Sequence, residues 1–72
     1  MEFKEISIKQ EFIKLDSAMK LANMVVTGGH AKIVIQDGEV KVNGEVCTLR
    51  RKKLKKGDKV EFENKGFIIV WK

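Results

Sequence analysis

Apolar and polar residues alternate at the start of the chain and then change to a helical period. Residues 5–9 (EISIK) alternate strictly, which predicts a short N-terminal edge strand. From residue 12 onward, apolar positions recur at the i, i+4 and i+7 spacings of one helix face. This pattern predicts a first helix over about residues 15–24, with Asp16 or Ser17 in its first turn.

A second helix is expected almost directly after the first. Thr27 offers an N-cap hydroxyl, apolar residues continue at helical spacing to Ile35, and Gly38 supplies the C-terminal stop. Only Val25 and Val26 separate the first helix from this cap. We therefore expect the two helices to form a compact, angled pair.

The chain after the second helix reads as a series of strands. Residues 38–46 (GEVKVNGEV) form two alternating stretches around an Asn-Gly turn, the strongest short-range signal for a hairpin. Val60 and Phe62 follow a Gly-Asp turn signal, and residues 64–66 are expected to turn the chain into a final apolar strand over residues 67–71. Phe12, Phe62 and Trp71 are expected to pack in the core.

These elements predict an α+β fold in one small domain over residues 1–72. Two short helices pack on a mostly antiparallel sheet of four or five strands. At this length a domain buries only about 60% of the surface that its unfolded chain exposes, so the core is thin. Such a chain has little room for a catalytic pocket, and we expect a protein that is not an enzyme.

Composition excludes several classes of protein. Cys47 is the single cysteine, so neither a disulfide framework nor a cysteine-rich zinc site is expected. Charged residues interrupt the N-terminus, and no apolar stretch approaches the 18 or so residues of a membrane helix. We expect a cytoplasmic protein that has no cofactor, no membrane partner and no small-molecule substrate.

Positive charge is concentrated in the second half of the chain. The net charge is +5; residues 1–36 carry five Lys and Arg against four Asp and Glu, whereas residues 37–72 carry ten against six. Six of the seven residues in the segment 50–56 (RRKKLKK) are basic, and Leu54 is expected to point into the core. A basic segment held beside a hairpin keeps its charges at a fixed spacing, which favours a phosphate backbone as partner. The alternative is a solvated loop that binds nothing specific, because such a loop has the same composition.

The order of these segments resembles the S-four RNA-binding domain, also called the alpha-L motif. The resemblance is carried by residues 14–16 (KLD), 27–32 (TGGHAK), 35–44 (IQDGEVKVNG) and 56–60 (KGDKV), and its core covers about residues 12–63. The TGGHAK segment and the short N-terminal strand are most similar to the small stand-alone bacterial members, the YaaA-like or YbcJ-like proteins. The resemblance implies binding of structured RNA such as rRNA or tRNA, or of a ribosomal particle.

Candidate RNA-binding residues come from both the residue pattern and the resemblance. Many family members have arginines directly after the cap of the second helix, where this chain has glycines, so those arginine contacts do not carry over. The expected surface combines the basic residues at matching positions with the start of the second helix and the basic segment, and the hairpin flanks the second helix. Its residues are Lys14, Thr27, Gly28, Gly29, His30, Lys32, Lys41, Arg50, Arg51 and Lys53.

Two readings of the Gly28-Gly29 pair remain open at this point. The glycines permit close packing or a tight turn between the helices, or they expose bare N–H groups to a phosphate at a helix N-terminus. His30 is either an ordinary exposed histidine or a group that contacts a base or phosphate. As the single histidine, it is a poor metal ligand.

Two other functions compete with RNA binding. The same basic face suits a DNA-binding or replication accessory protein. Alternatively, the apolar C-terminal strand could pair with the sheet edge of a partner protein.

Overall fold

The computed structural model describes residues 3–71. Within this range the chain forms seven strands and two helices, in this order: β1 (Phe3–Ile8), β2 (Ile13–Lys14), α1 (Leu15–Leu21), α2 (Gly28–Gln36), β3 (Lys41–Val42), β4 (Glu45–Val46), β5 (Lys53–Leu54), β6 (Lys59–Phe62) and β7 (Lys65–Trp71). The predicted α+β architecture is confirmed.

Among the described residues, five strands form one sheet in the order β1-β7-β6-β3-β4, and β2 and β5 form a separate two-stranded sheet. β1 pairs in parallel with β7, and the other pairs are antiparallel. β1 is an edge strand, as the sequence predicts. β7 lies between β1 and β6: its residues 66–71 pair with β1 and its residues 65–68 pair with β6. This interior position argues against the alternative function in which the C-terminal strand pairs with the sheet edge of a partner protein.

The core lies between the helices and one face of the large sheet. Its fully buried members come from the helices, from β5 and from the central strands, and include Leu15, Met19, Ile35, Leu54 and Phe67. Leu54 points inward as predicted. Phe62 is also buried, but Phe12 and Trp71 are 40% and 53% exposed, so their assignment to the core is wrong.

Both helices end in the same hydrogen-bonded motif. After α1, Asn23 adopts the left-handed conformation (φ 59°), and the N–H groups of Asn23 and Met24 donate to the carbonyls of Lys20 and Met19. α1 therefore ends at Leu21, three residues before the predicted limit. Gly38 (φ 79°) ends α2 in the equivalent way, as the sequence predicts.

The two hairpin turns are formed by residues that tolerate positive φ. Asn43 and Gly44 have φ values of 53° and 86° and join β3 to β4, as predicted. Glu63 and Asn64, with φ values of 52° and 63°, join β6 to β7. The last turn thus precedes Lys65, and the predicted turn at residues 64–66 is displaced because Lys65 and Gly66 already belong to β7.

Candidate nucleic-acid interface

The basic segment folds back onto the start of α1. Lys14 at the N-cap makes no side-chain hydrogen bond to the helix. Instead, the N–H of Leu15 donates to the Lys52 carbonyl at 2.8 Å, and the N–H of Asp16 donates to the Arg50 carbonyl at 3.1 Å. A helix leaves its first N–H groups without intrahelical acceptors, and here the backbone of the basic segment supplies them.

Strand pairing brings two lysines face to face. In the small sheet, Ile13 opposes Leu54 and Lys14 opposes Lys53. Because Leu54 is fully buried and Ile13 packs against the core, Lys14 and Lys53 point together toward solvent. Directly opposed residues have Cβ atoms about 4.5–5.5 Å apart, and like charges at such positions destabilise a sheet.

These contacts join the lysine pair to the neighbouring turn. The N–H of Lys52 donates to the Leu49 carbonyl at 3.0 Å, which closes a turn through Arg50 and Arg51. We use the name basic cluster for the side chains gathered here: Lys14, Arg50, Arg51, Lys52 and Lys53. Four of the five are exposed and Arg50 is half-buried. Four had been predicted as site residues, and the structure adds Lys52.

The start of α2 forms a second part of the predicted site. Thr27 caps the helix, its Oγ1 accepting from the His30 N–H at 3.0 Å. A Cβ atom on Gly28 would meet nothing within 4 Å, and one on Gly29 would meet Thr27 Oγ1 at an ordinary 3.8 Å. Close packing therefore does not require these glycines. Their N–H groups lie in the first turn, where helix geometry provides no acceptor.

The two parts of the site are connected through the helix pair. α1 contacts both α2 and β2, while the hydrogen bonds and strand pairs that order the basic cluster come from α1, β2 and β5. His30 and Lys32 are exposed on α2. The basic cluster and the α2 start are thus held by one packed unit.

Lys41 and the hairpin are the remaining parts of the predicted site. Lys41 is opposite Glu61 in the β3–β6 pair, and it lines a surface cleft that also contains Glu39 and Glu63. Lys41 therefore lies among carboxylates, and its part in the RNA-binding surface stays a prediction. The hairpin flanks the C-terminal end of α2, since Val46 Cγ1 would lie 3.5 Å from a Cβ on Gly38.

A polar bridge fixes the hairpin turn beside the basic segment. The Asn43 side chain donates from Nδ2 to Asp58 Oδ1 at 3.0 Å and accepts at Oδ1 from the Lys59 N–H at 2.9 Å. Asp58 Oδ2 accepts from the Lys55 N–H at 2.8 Å. The sequence analysis missed this bridge, although Asn and Asp at turns commonly bind nearby backbone groups and supply the signal for it.

Within residues 3–71, no group of three or more His, Cys, Asp or Glu side chains is placed to hold a metal ion. In the same range, no helix is both long and apolar enough to span a membrane. Cys47 is half-buried, with its Sγ 3.8 Å from the Leu49 carbonyl oxygen.

Comparison with known proteins gives consistent matches over nearly the whole chain. A family model described as the S4 domain matches residues 6–70. The chain is 44% identical over 65 residues to a Bacillus subtilis protein named "Probable ribosome maturation protein RlbA", covering 90% of this chain and 92% of that one. It is 36% identical over 62 residues to the Escherichia coli protein named "Putative RNA-binding protein YbcJ", covering 86% of this chain and 89% of that one.

A solved structure shows the same fold. The solution structure of YbcJ from E. coli, described as containing an alpha-L motif involved in RNA binding, superposes with a TM-score of 0.73 at 32% identity. The match covers 97% of this chain and 90% of that chain. The resemblance to the S-four domain and to its YbcJ-like members is confirmed.

Proposed function

We propose that this chain, which belongs to the S4 domain family, is a non-catalytic protein that binds structured RNA. Its relatives are named for RNA binding and for ribosome maturation, which supports RNA as the partner. Ribosomal RNA or a ribosomal particle is the target that we favour.

The pairing of Lys14 with Lys53 is the observation that carries this proposal. Two lysines directly opposed on a two-residue strand pair work against folding, by about 0.2–1 kcal/mol. The arrangement becomes favourable once a polyanion lies across it, because the repulsion is replaced by attraction to phosphate. Arg50 and Arg51 extend the same surface, and arginine suits bidentate phosphate contacts.

The start of α2 provides a second anion-binding element. A phosphate could approach the N–H groups of Gly28 and Gly29 because neither residue has a side chain to obstruct it. No acidic residue occupies the first turn of α2. We assign this element to the same RNA as the basic cluster, with His30 and Lys32 beside it.

Duplex DNA is the alternative ligand, because the basic cluster would also attract its phosphates. The names of the relatives favour RNA, and shape recognition of an A-form helix with its 2′-hydroxyls would favour RNA further. Direct competition between a structured rRNA fragment and duplex DNA of equal length separates the two functions. Preference for the DNA would contradict the proposal.

Charge reversal in the basic cluster tests the proposed surface. Arg50→Glu combined with Arg51→Glu should abolish binding to transcribed rRNA fragments, while circular dichroism shows an intact fold. The fold should survive because the Arg50 contact with α1 is made by its backbone carbonyl. The matched control reverses two exposed lysines that line a different cleft, Lys4→Glu and Lys65→Glu. Unchanged affinity in a folded Arg50/Arg51 variant would contradict the assigned surface.

A further inference from the structure

Phe12 is an exposed aromatic residue beside the basic cluster. Its side chain is 40% exposed, whereas Phe62 and Phe67 are 4% and 0% exposed. The Lys53 ammonium lies 4.8 Å from the centroid of the Phe12 ring, within cation–π distance. The ring is therefore accessible to a ligand and lies beside a cation of the basic cluster.

The register of β2 explains why the ring faces outward. Ile13 packs against the core and pairs with Leu54, so its neighbours along the chain point the other way. Side chains two residues apart lie on the same side of extended backbone. Phe12 and Lys14 therefore flank Ile13 on the solvent side, and the ring is continuous with the basic cluster.

The ring lines an open cleft between the basic segment and the hairpin turn. The cleft has a volume of about 540 Å³ and is lined by Glu11, Phe12, Asn43, Lys52, Lys53, Lys55 and Asp58. Small-molecule sites span about 300–1,000 Å³, so this space is sufficient for one nucleotide. We call it the Phe12 cleft.

The lining residues combine an aromatic surface with three positive charges. Lys52, Lys53 and Lys55 line the cleft together with the ring and with the carboxylates of Glu11 and Asp58. Asp58 already accepts hydrogen bonds from Asn43 Nδ2 and from the Lys55 N–H, which hold it in the wall of the cleft. An aromatic ring among lysines is the combination that single-stranded nucleic acids recognise, with bases stacking on the ring and phosphates contacting the cations.

We propose that the Phe12 cleft binds one unpaired nucleotide of the RNA, whose base stacks on the Phe12 ring while its phosphates contact Lys52, Lys53 and Lys55. This inference rests on the proposed RNA-binding function and specifies the RNA as a helix interrupted by a bulge or a loop. Stacking tolerates any base, because every base has a π-face. Asn43 already donates from Nδ2 to Asp58 and accepts at Oδ1 from the Lys59 N–H, so its amide is engaged within the protein. The cleft therefore recognises an unpaired base through stacking and not a particular sequence.

The test compares two short RNA hairpins that differ only by one bulged uridine in the stem. Wild-type protein should bind the bulged hairpin more tightly. Phe12→Leu should weaken that binding by about 5- to 150-fold, the effect of losing one base–aromatic stack of about 1–3 kcal/mol. Affinity for the fully paired hairpin should stay unchanged. Phe12→Tyr, which retains an aromatic ring, should keep the preference for the bulge.

Phe3→Leu is the matched control. Lys59 lies 5.4 Å from the Phe3 ring centroid, so this variant also removes a phenylalanine under a lysine, but on the large sheet. It should bind both hairpins as the wild type does. A 5-iodouridine at the bulge should crosslink to the peptide that contains Phe12.

Three outcomes separate this inference from the function on which it rests. Equal binding of the two hairpins by wild type and Phe12→Leu, with normal salt dependence, would overturn the Phe12 cleft and leave RNA binding intact. Loss of bulge preference in Phe3→Leu as well would also overturn it. Failure of the wild type to bind either hairpin would contradict both proposals.

Discussion

Replacing Lys14 with glutamine should raise the stability of the protein and lower its affinity for RNA. Lys14 opposes Lys53 and lies at the N-cap of α1, where a positive charge faces the positive end of the helix dipole. Removing it relieves both repulsions, which we expect to add about 0.5–1 kcal/mol to the free energy of unfolding. For a domain of this size, that gain raises Tm by about 2–8 °C.

The same substitution removes one phosphate contact. The slope of log K against log salt should fall in magnitude by about 0.7–0.9, the change expected for one neutralised phosphate. If the two proteins bind equally at 1 M salt, this difference corresponds to about 5- to 8-fold weaker binding at 0.1 M. Lys14→Glu should move both quantities further in the same directions, because it places opposite charges across the strand pair.

Thermal unfolding by circular dichroism and fluorescence anisotropy over a series of KCl concentrations measure the two effects. Lys65→Gln is the control, since it removes an exposed lysine from a cleft that excludes the basic cluster. It should leave the salt slope unchanged. Equal loss of slope in both variants would show that net charge, and not the Lys14–Lys53 pair, determines binding. A lower Tm for Lys14→Gln would refute the argument from repulsion.

Substitutions at three further places in the structure test individual contacts. Thr27→Ala should lower the free energy of unfolding by about 1 kcal/mol, because it removes the hydrogen bond between the cap hydroxyl and the His30 N–H. Thr27→Ser should keep most of that stability, and urea unfolding measures both variants. Gly28→Ala with Gly29→Ala should raise Tm, because alanine fits both positions and favours a helix. The same variant should weaken RNA binding, because the added methyl groups obstruct the approach of a phosphate, and unchanged affinity would contradict the anion site. Asp58→Ala should destabilise the fold by about 0.5–1.5 kcal/mol, since it removes the hydrogen bonds that Asp58 accepts from the Lys55 N–H and Asn43 Nδ2, whose donors water can then satisfy. No measurable change in urea unfolding would contradict a structural role for the bridge.

Local signals in the sequence were sufficient to predict α2 and the hairpin. The Thr27 cap, the stop at Gly38 and the Asn43-Gly44 turn each depend on residues adjacent in the chain, and all three lie where the pattern placed them. The end of α1 was missed because it depends on Asn23 adopting a positive φ. Asparagine tolerates that conformation without requiring it, so its sequence signal is weaker than that of glycine.

The geometry of the candidate site depends on contacts that are distant in sequence. The basic segment was visible from composition, but the opposition of Lys14 and Lys53 follows from a two-residue strand pair that has almost no sequence signature. The same strand pair also turns Phe12 outward, contrary to the expectation that Phe12 packs in the core. The acidic surroundings of Lys41 were not foreseen, because Glu61 is twenty residues away and opposes Lys41 only through the β3–β6 register.

Crosslinking of the tagged protein to RNA in cells, with sequencing of the RNA and mapping of the crosslinked peptides, tests the central claim most directly. We predict enrichment of one structured rRNA element, with crosslinks in peptides that contain residues 27–32 and residues 50–53. Recovery of RNAs in proportion to their abundance, with crosslinks spread over all exposed lysines, would contradict the proposed function and leave a protein that attracts polyanions without recognising one.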